Sequence, residues 1–590
     1  MLRASIGSGV LLCAALIAPR AEAQTIKRAR TVNLTRLATP PATAAVGNET
    51  RRGPDANEDL KSLIRGSISS ARVSSAHVPR PNDRPVTDAD AGFFGFDGLR
   101  HLDQRLADGG NQFNIEPPDQ AIAVGNGFVV EGVNLALRVR TTSGGAAATV
   151  SLNRFFVGDS AIVRATPTTP ARFGRFISDP KAYFDNANQR WFVTVLTIAT
   201  DPVTGGFRPE SDVRIAVSQT ANPTGNWNIF TIETTNGDGT TPNHPGCPCF
   251  GDQPLIGADA HGFYVTTNEF PIFAAGFNGA QVYAISIQDL VKNLTPPRMK
   301  AFDGLPLAEG PAYTLQPATA APGVAYNQGT AYFMSALDFF GTVDDRIAVW
   351  RLNNTGWLST GTGNQPVLTS VVVESESYGQ PPDAQQRPGP LPLADVIRAG
   401  AFGKPATEHL SLLAGNDDRM QQVMFDGQNL WSSLNTVVKP ETGPTRIGAA
   451  YFIVKPSTTA AGALRATIVS QGYVSVNENS VMFPSIAVNK NGRGVMTFTL
   501  VGADYFPTAA YARVTASGGV SDVRVAQPGA APEDGFTGYV VFNGRTSRWG
   551  DYSAATVDEA GDVWFAVEYI PNLSRTQLAN WGTFIGKVTP

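Results

Sequence analysis

The sequence predicts an all-β fold: a β-propeller of seven blades, each of about four antiparallel strands, with long inserted loops. Three observations predict it. The 59 glycines and 42 prolines punctuate the chain too densely for long helices. From about Phe94 to the end, short runs of Val, Ile, Phe, Tyr and Trp alternate with turn residues. One hairpin pattern, an apolar strand, an Asn/Asp/Gly turn and a second aromatic or β-branched strand, then recurs along a chain of 590 residues, too long for one ordinary core unless the fold grows by repetition.

The chain opens with the features of an export signal over residues 1–23. Arg3 supplies the positive end, GVLLCAALIA the apolar core and Ala21–Ala23 the small-residue cleavage site. The apolar run is too short to span a bilayer, and Leu12 before Cys13 does not fit a lipoprotein box. A secreted protein, extracellular or periplasmic, is therefore expected. Residues 24–93 are rich in Ala, Thr and Pro with no sustained apolar period and read as a flexible leader. Residues 94–590 read as the propeller domain.

The hairpin occurs seven times, with turns near Gly125, Asn186, His261, Gln328, Gly427, Asn491 and Ala560. Further strands follow most copies, as in DVRIAVSQT, AQVYAISI and RIAVWRLN, which gives four strands per unit. Radial packing of such units avoids exposed edges. A pair of β-sandwiches would also alternate, but unrelated hairpins have no reason to share terminal residues. The last unit shows three strands, ending in WGTFIGKV, so a strand between Phe94 and Ile115 is expected to complete it.

A net charge of −4 argues against a nucleic-acid surface. No later stretch is long and apolar enough for a membrane span, and the reading is of a monomer. The five histidines never fall at zinc-ligand spacing, and no Gly-x-Ser-x-Gly elbow is present. Cys247 and Cys249, the two cysteines beyond the signal, form a local disulfide in the simplest reading, strained by their separation of one residue; a metal or redox role is the alternative.

Seven segments in series, among them PPDQAIAVGNGFVVEGVN, SDPKAYFDNANQRWFV, GDQPLIGADAHGFYVTTNEF and RWGDYSAATVDEAGDVWFAVEYI, resemble a group of secreted bacterial proteins with sialidase-like β-propeller folds and no settled activity. The resemblance covers roughly residues 115–590. It implies the fold and export, and carries over no catalytic residue. Against sialidase chemistry, TVDEAGDVWF has one residue too many for an Asp box, and the Phe/Tyr-Arg-Ile-Pro motif is missing.

In a propeller, the loop before each innermost strand and the loop after each second strand open on the same face. That rule places Asp119, Asp179, Asp252 and Asp551, and Glu131, Glu269 and Glu568, around one mouth. Three roles compete for these acids. They cap strand ends; some bind Ca²⁺ together with Asn134 and Asn268; or a pair serves as acid and nucleophile of a glycosidase or lyase. Trp191, Trp549, Tyr552, Trp564 and Tyr569 read mainly as packing between blades, with Tyr552 and Tyr569 the ones expected at the mouth. The functional expectation is a propeller that binds an extracellular glycan or surface protein through an acidic mouth; the alternative is a glycoside hydrolase or lyase.

Overall fold

The computed structural model describes residues 24–38, 50–51 and 77–590, apart from 238, 241, 309, 326–328, 338–342, 404–409, 441–442 and 518. The expected signal, and the turn near Gln328, lie outside the described residues. Among those described, the main strands group into seven antiparallel units. Their innermost strands are Ala121–Gly125, Phe176–Asp185, Cys249–Ala258, Gln316–Ala320, Val423–Phe425, Asn479–Val488 and Ala554–Val557, numbered here as blades 1 to 7. Each innermost strand contacts the next, and that of blade 7 contacts that of blade 1, which closes a ring. Blades 4 and 5 are also joined by parallel pairing of their innermost strands. This is a β-propeller.

The recurring turn has a physical cause. Asp185, Asp259, Asp426, Asn489 and Asp558 each accept two backbone N–H groups of their own hairpin turn through one side-chain oxygen. In blades 5 and 7 the second carboxylate oxygen also accepts the indole N–H of the following tryptophan, Trp431 or Trp564, at 2.8 Å. The tryptophan ring is thereby pinned between blades. Trp191, Trp431 and Trp564 are all buried there, so the apolar faces of neighbouring sheets supply most of the core.

Two strands from the N-terminal region change the picture of 24–93 as a flexible leader. Ile26–Asn33 pairs antiparallel with Asn226–Glu233 and becomes a fifth strand on the outer edge of blade 2, burying Ile26, Val32 and Leu34. Val86–Asp88 pairs with the outer strand of blade 6. Both cover an edge that would otherwise present unpaired N–H and C=O groups. The stretch IKRARTVN hides its role because its bulged register spreads Lys27, Arg28 and Arg30 over both faces while only Ile26 and Val32 are buried, so no apolar alternation shows. Phe94–Arg100 pairs with Gly582–Val588 and is the fourth strand of blade 7, inside the span where a completing strand is expected.

Three long connections gather on one face. They precede blades 1, 5 and 7, and isolated bridges Ala384 to Leu413 and Leu413 to Ser547 tie two of them together. The insertion before blade 5 contains a short helix, Pro392–Arg398, whose Leu393, Ala394 and Ile397 pack on Phe536, Tyr539 and Leu578. These loops bury the centre of that face.

Candidate functional site: an aspartate belt at the mouth of the ring

The site begins with a repeated irregularity of the backbone. Asp119, Asp179, Gln253, Thr314 and Phe483, each at the mouth-side start of an innermost strand, have left-handed φ between 43° and 57°. In blades 2, 3 and 6 the register slips at this point, and the sequence carries proline there, in Ser-Asp-Pro, Asp-Gln-Pro and Met-Phe-Pro. Left-handed φ is costly for Thr and Phe, roughly 1–3 kcal/mol each. An asparagine at the end of the previous blade's second strand holds it in place. Asn268 Oδ1 accepts the Thr314 N–H at 2.9 Å, and Asn435 Oδ1 accepts that of Phe483 at 2.7 Å. Asn134 Oδ1 does the same for Asp179 at 2.9 Å.

Around the axis these contacts join into a belt. The Asp551 N–H of blade 7 donates to Asp119 Oδ1 at 2.9 Å, and Asn134 Nδ2 donates to Asp119 Oδ2 at 2.6 Å. Asp179 accepts Ser178 Oγ at 2.9 Å and the Gln253 N–H at 3.1 Å. Gln253 Oε1 accepts Arg419 Nη1 at 2.6 Å; Arg419 is paired with Asp417 at 2.7 Å, and Tyr313 of the blade 4 approach donates to Asp417. Asn416 Nδ2 returns to Asp551 Oδ1 at 2.9 Å. One belt thus links the mouth-side ends of five blades and the blade 4 approach.

Asp252 stands apart within this belt. It is half-buried, and its carboxylate makes no hydrogen bond with any described residue, while Asp119, Asp179 and Asp551 are all engaged. Burial first, then the Asp551 charge, pushes its pKa up to about 7, with Arg419 and Arg548 opposing. Burial and neighbouring carboxylates likewise raise Asp119 to about 8 and Asp179 to about 7. The Lys181 ammonium lies 2.8 Å from the centroid of the Tyr552 ring, and burial lowers its pKa to about 7 against the attraction of Asp119, Asp179 and Asp551. Below them an axial cavity of about 50 Å³ is lined by Ile122, Lys181, Tyr183, Gln316, Gln422 and Thr556. Near neutral pH the centre thus holds carboxyl groups that can both donate and accept protons.

The structure brings Asp119, Asp179, Asp252, Asp551 and Tyr552 together, as the sequence rule places them. Glu568 comes near but joins a second acidic group beneath the loops, where burial and the charges of Asp119, Glu533 and Glu116 push it well up. Four residues, Glu131, Glu269, Tyr569 and Asn268, must be corrected. Glu131 points between blades 7 and 1, accepting the Leu99 N–H at 2.8 Å and the Thr583 hydroxyl. Glu269 lies away from the axis, bonded to Asn236, His244 and Asn278. Tyr569 packs toward blade 6 and donates to Asp97. Successive side chains on a strand face opposite ways, so Asn268 and Glu269, and Glu568 and Tyr569, cannot share a destination. Asn268 ties blade 3 to blade 4 rather than lying in the open mouth. Trp191 and Trp564 are packing residues, and Trp549 is buried with Leu99, Val133 and Trp581.

The reading from sequence did not find Lys181, Gln253, Asn416, Asp417, Arg419 or Arg548. Only Gln253 carried a usable signal, since DQP aligns with SDP. Cys247 and Cys249 are joined by a disulfide. Among the described residues, no helix is long and apolar enough to cross a membrane.

No protein-family model matches the chain, and no curated protein matches it. Solved structures similar to it include neuraminidases and propeller glycosidases. The ectodomain of the parainfluenza virus 5 hemagglutinin-neuraminidase is 9% identical with a TM-score of 0.31, over 72% of this chain and 85% of that one. The subtype N11 neuraminidase-like protein of A/flat-faced bat/Peru/033/2010 is 12% identical with a TM-score of 0.28, over 76% and 96%. The exo-β-1,3-galactanase 1,3Gal43A from Clostridium thermocellum is 9% identical with a TM-score of 0.27, over 85% and 97%. Nothing about activity transfers at that distance.

Proposed function

We propose that this chain is an exported propeller that binds a carbohydrate at the mouth of its ring, with Asp252 as the principal contact. One observation carries the reading: the belt engages Asp119, Asp179 and Asp551 but leaves the half-buried Asp252 carboxylate without a hydrogen bond to any described residue. A carboxyl with a pKa of about 7 offers a donor and an acceptor, which matches the hydroxyls of a sugar. The test is a glycan array followed by calorimetric titration of any hit, for the wild type and Asp252→Ala, with and without Ca²⁺. Binding by the wild type that the variant loses supports the reading; equal binding by both sets it aside.

A second reading, glycoside hydrolysis, rests on the same raised pKa, because a carboxyl protonated near neutrality can act as general acid toward a glycosidic oxygen. Asp551, whose charge acts directly on Asp252, would be its partner. Turnover of the array hits, lost in Asp252→Asn while affinity survives, distinguishes this reading from binding alone.

A further inference from the structure

We propose that Cys247, Cys249, Glu269 and His244 form a redox-gated site for a borderline-soft divalent metal ion such as Zn²⁺, able to fill only when the disulfide is reduced. The site lies on blade 3, away from the aspartate belt. Cys249 begins the innermost strand, and Glu269 stands on the neighbouring strand opposite Gly251. Among the described residues, Cys247, Cys249 and Glu269 are the one set of His, Cys, Asp or Glu side chains in which three ligand atoms lie within 4.8 Å of one another.

The surroundings resemble a ligand set with its supports. Glu269 Oε1 is 3.9 Å from Cys247 Sγ and 2.7 Å from His244 Nδ1. The other ring nitrogen of His244 is 3.3 Å from Asp303 Oδ2, a carboxylate placed to orient the imidazole. Asn278 Nδ2 sits among the prospective ligands, 3.7 Å from Cys247 Sγ, 3.5 Å from Cys249 Sγ and 2.8 Å from Glu269 Oε1. Cys249 is fully buried, whereas Cys247 and His244 are only partly so, which leaves a path from solvent.

While the sulfurs are bonded to each other they are poor ligands. An external dithiol changes this: two electrons and two protons pass to the S–S bond, giving two thiols, and the dithiol closes to its own disulfide. Metal binding then displaces both thiol protons and the proton shared by His244 Nδ1 and Glu269 Oε1, so two thiolates, a carboxylate and an imidazole face one ion. Thiolate with imidazole and carboxylate is a donor set suited to Zn²⁺.

Cobalt(II) is the probe. The chain with Cys13 replaced by Ser, so that only this pair responds, is titrated with Co²⁺ under inert gas, once oxidised and once reduced and freed of dithiol. Expected is a single saturable site in the reduced protein alone, with sulfur-to-cobalt charge-transfer absorption that Zn²⁺ displaces. Cys249→Ser removes that absorption, while Glu269→Gln and His244→Ala keep it and weaken the affinity by about 10-fold or more. Equal uptake in both redox states, or no charge-transfer band after reduction, overturns the proposal. So does unchanged affinity in both Glu269→Gln and His244→Ala. The comparison of oxidised and reduced protein needs no substitution within the site, so a variant that fails to fold does not spoil the test.

Discussion

Replacing Asp252 by Asn should make the protein more stable in mild alkali and no more stable in acid. The Asp252 carboxylate has no hydrogen bond to lose among the described residues, and burial, with the Asp551 charge, raises its pKa from 3.8 to about 7. A carboxyl bound more tightly to its proton in the folded state adds stability below its unfolded pKa, and that contribution is lost as pH rises through the folded pKa. Asn does not titrate, so the difference between variant and wild type should be near zero below about pH 4, grow between about pH 4 and 7 and level off above about pH 8. At about 1.4 kcal/mol per tenfold change in proton affinity, the rise from 3.8 to about 7 sets a ceiling of about 4 kcal/mol. Because Asp252 is half-buried and part of its shift comes from the charges of Asp551 and Asp119, about 2 kcal/mol is expected. Chemical denaturation midpoints at half-unit intervals from about pH 4 to 9 read the curve. A pH-independent difference, or a variant less stable at pH 8 than the wild type, would refute the reasoning. Gain of stability in Asp252→Asn with loss of glycan binding in Asp252→Ala is the signature of a residue kept for function.

Glu568→Gln should cost little stability at neutral pH in denaturation assays, since burial and neighbouring acids push this carboxyl well up toward its neutral form and its Oε2 has no hydrogen-bond partner among the described residues. Asn134→Ala should lower stability by about 2–4 kcal/mol in the same assay, because it strips partners from the Asp179 N–H and the Asp119 carboxyl at once. Arg419→Ala should cost about 3–5 kcal/mol, leaving Asp417 as a buried charge without its cation, and Arg419→Lys should recover only part of it. Removing residues through Asn33 should expose the edge of blade 2 and promote self-association, read by light scattering coupled to size-exclusion chromatography.

The fold was legible because the turn acid, the tryptophan it holds and the alternating strands are local features that repeat. The belt was legible only in part. Asp119, Asp179, Asp252 and Asp551 all fall close to the mouth-side bend of their innermost strands, Asp252 one residue before the position that Asp179 takes, so a positional rule finds them. The same rule failed for Glu131, Glu269 and Tyr569 because it named the end of a strand without asking which way the side chain faces, and one residue reverses that direction. Asn416, Asp417 and Arg419 come from a connection of irregular backbone that carries no period to read. Ile26–Asn33 escaped notice because its charges are what an outermost strand tolerates.

The Asp551 amide meets Asp119 across 432 positions of sequence, and blade 7 is assembled from both extremities of the ring. A growing polypeptide therefore carries an unfinished mouth until blade 7 has been made. Any fragment that stops short of that blade, by truncation or proteolysis, lacks a complete site, so a bound sugar would report that the ring has closed.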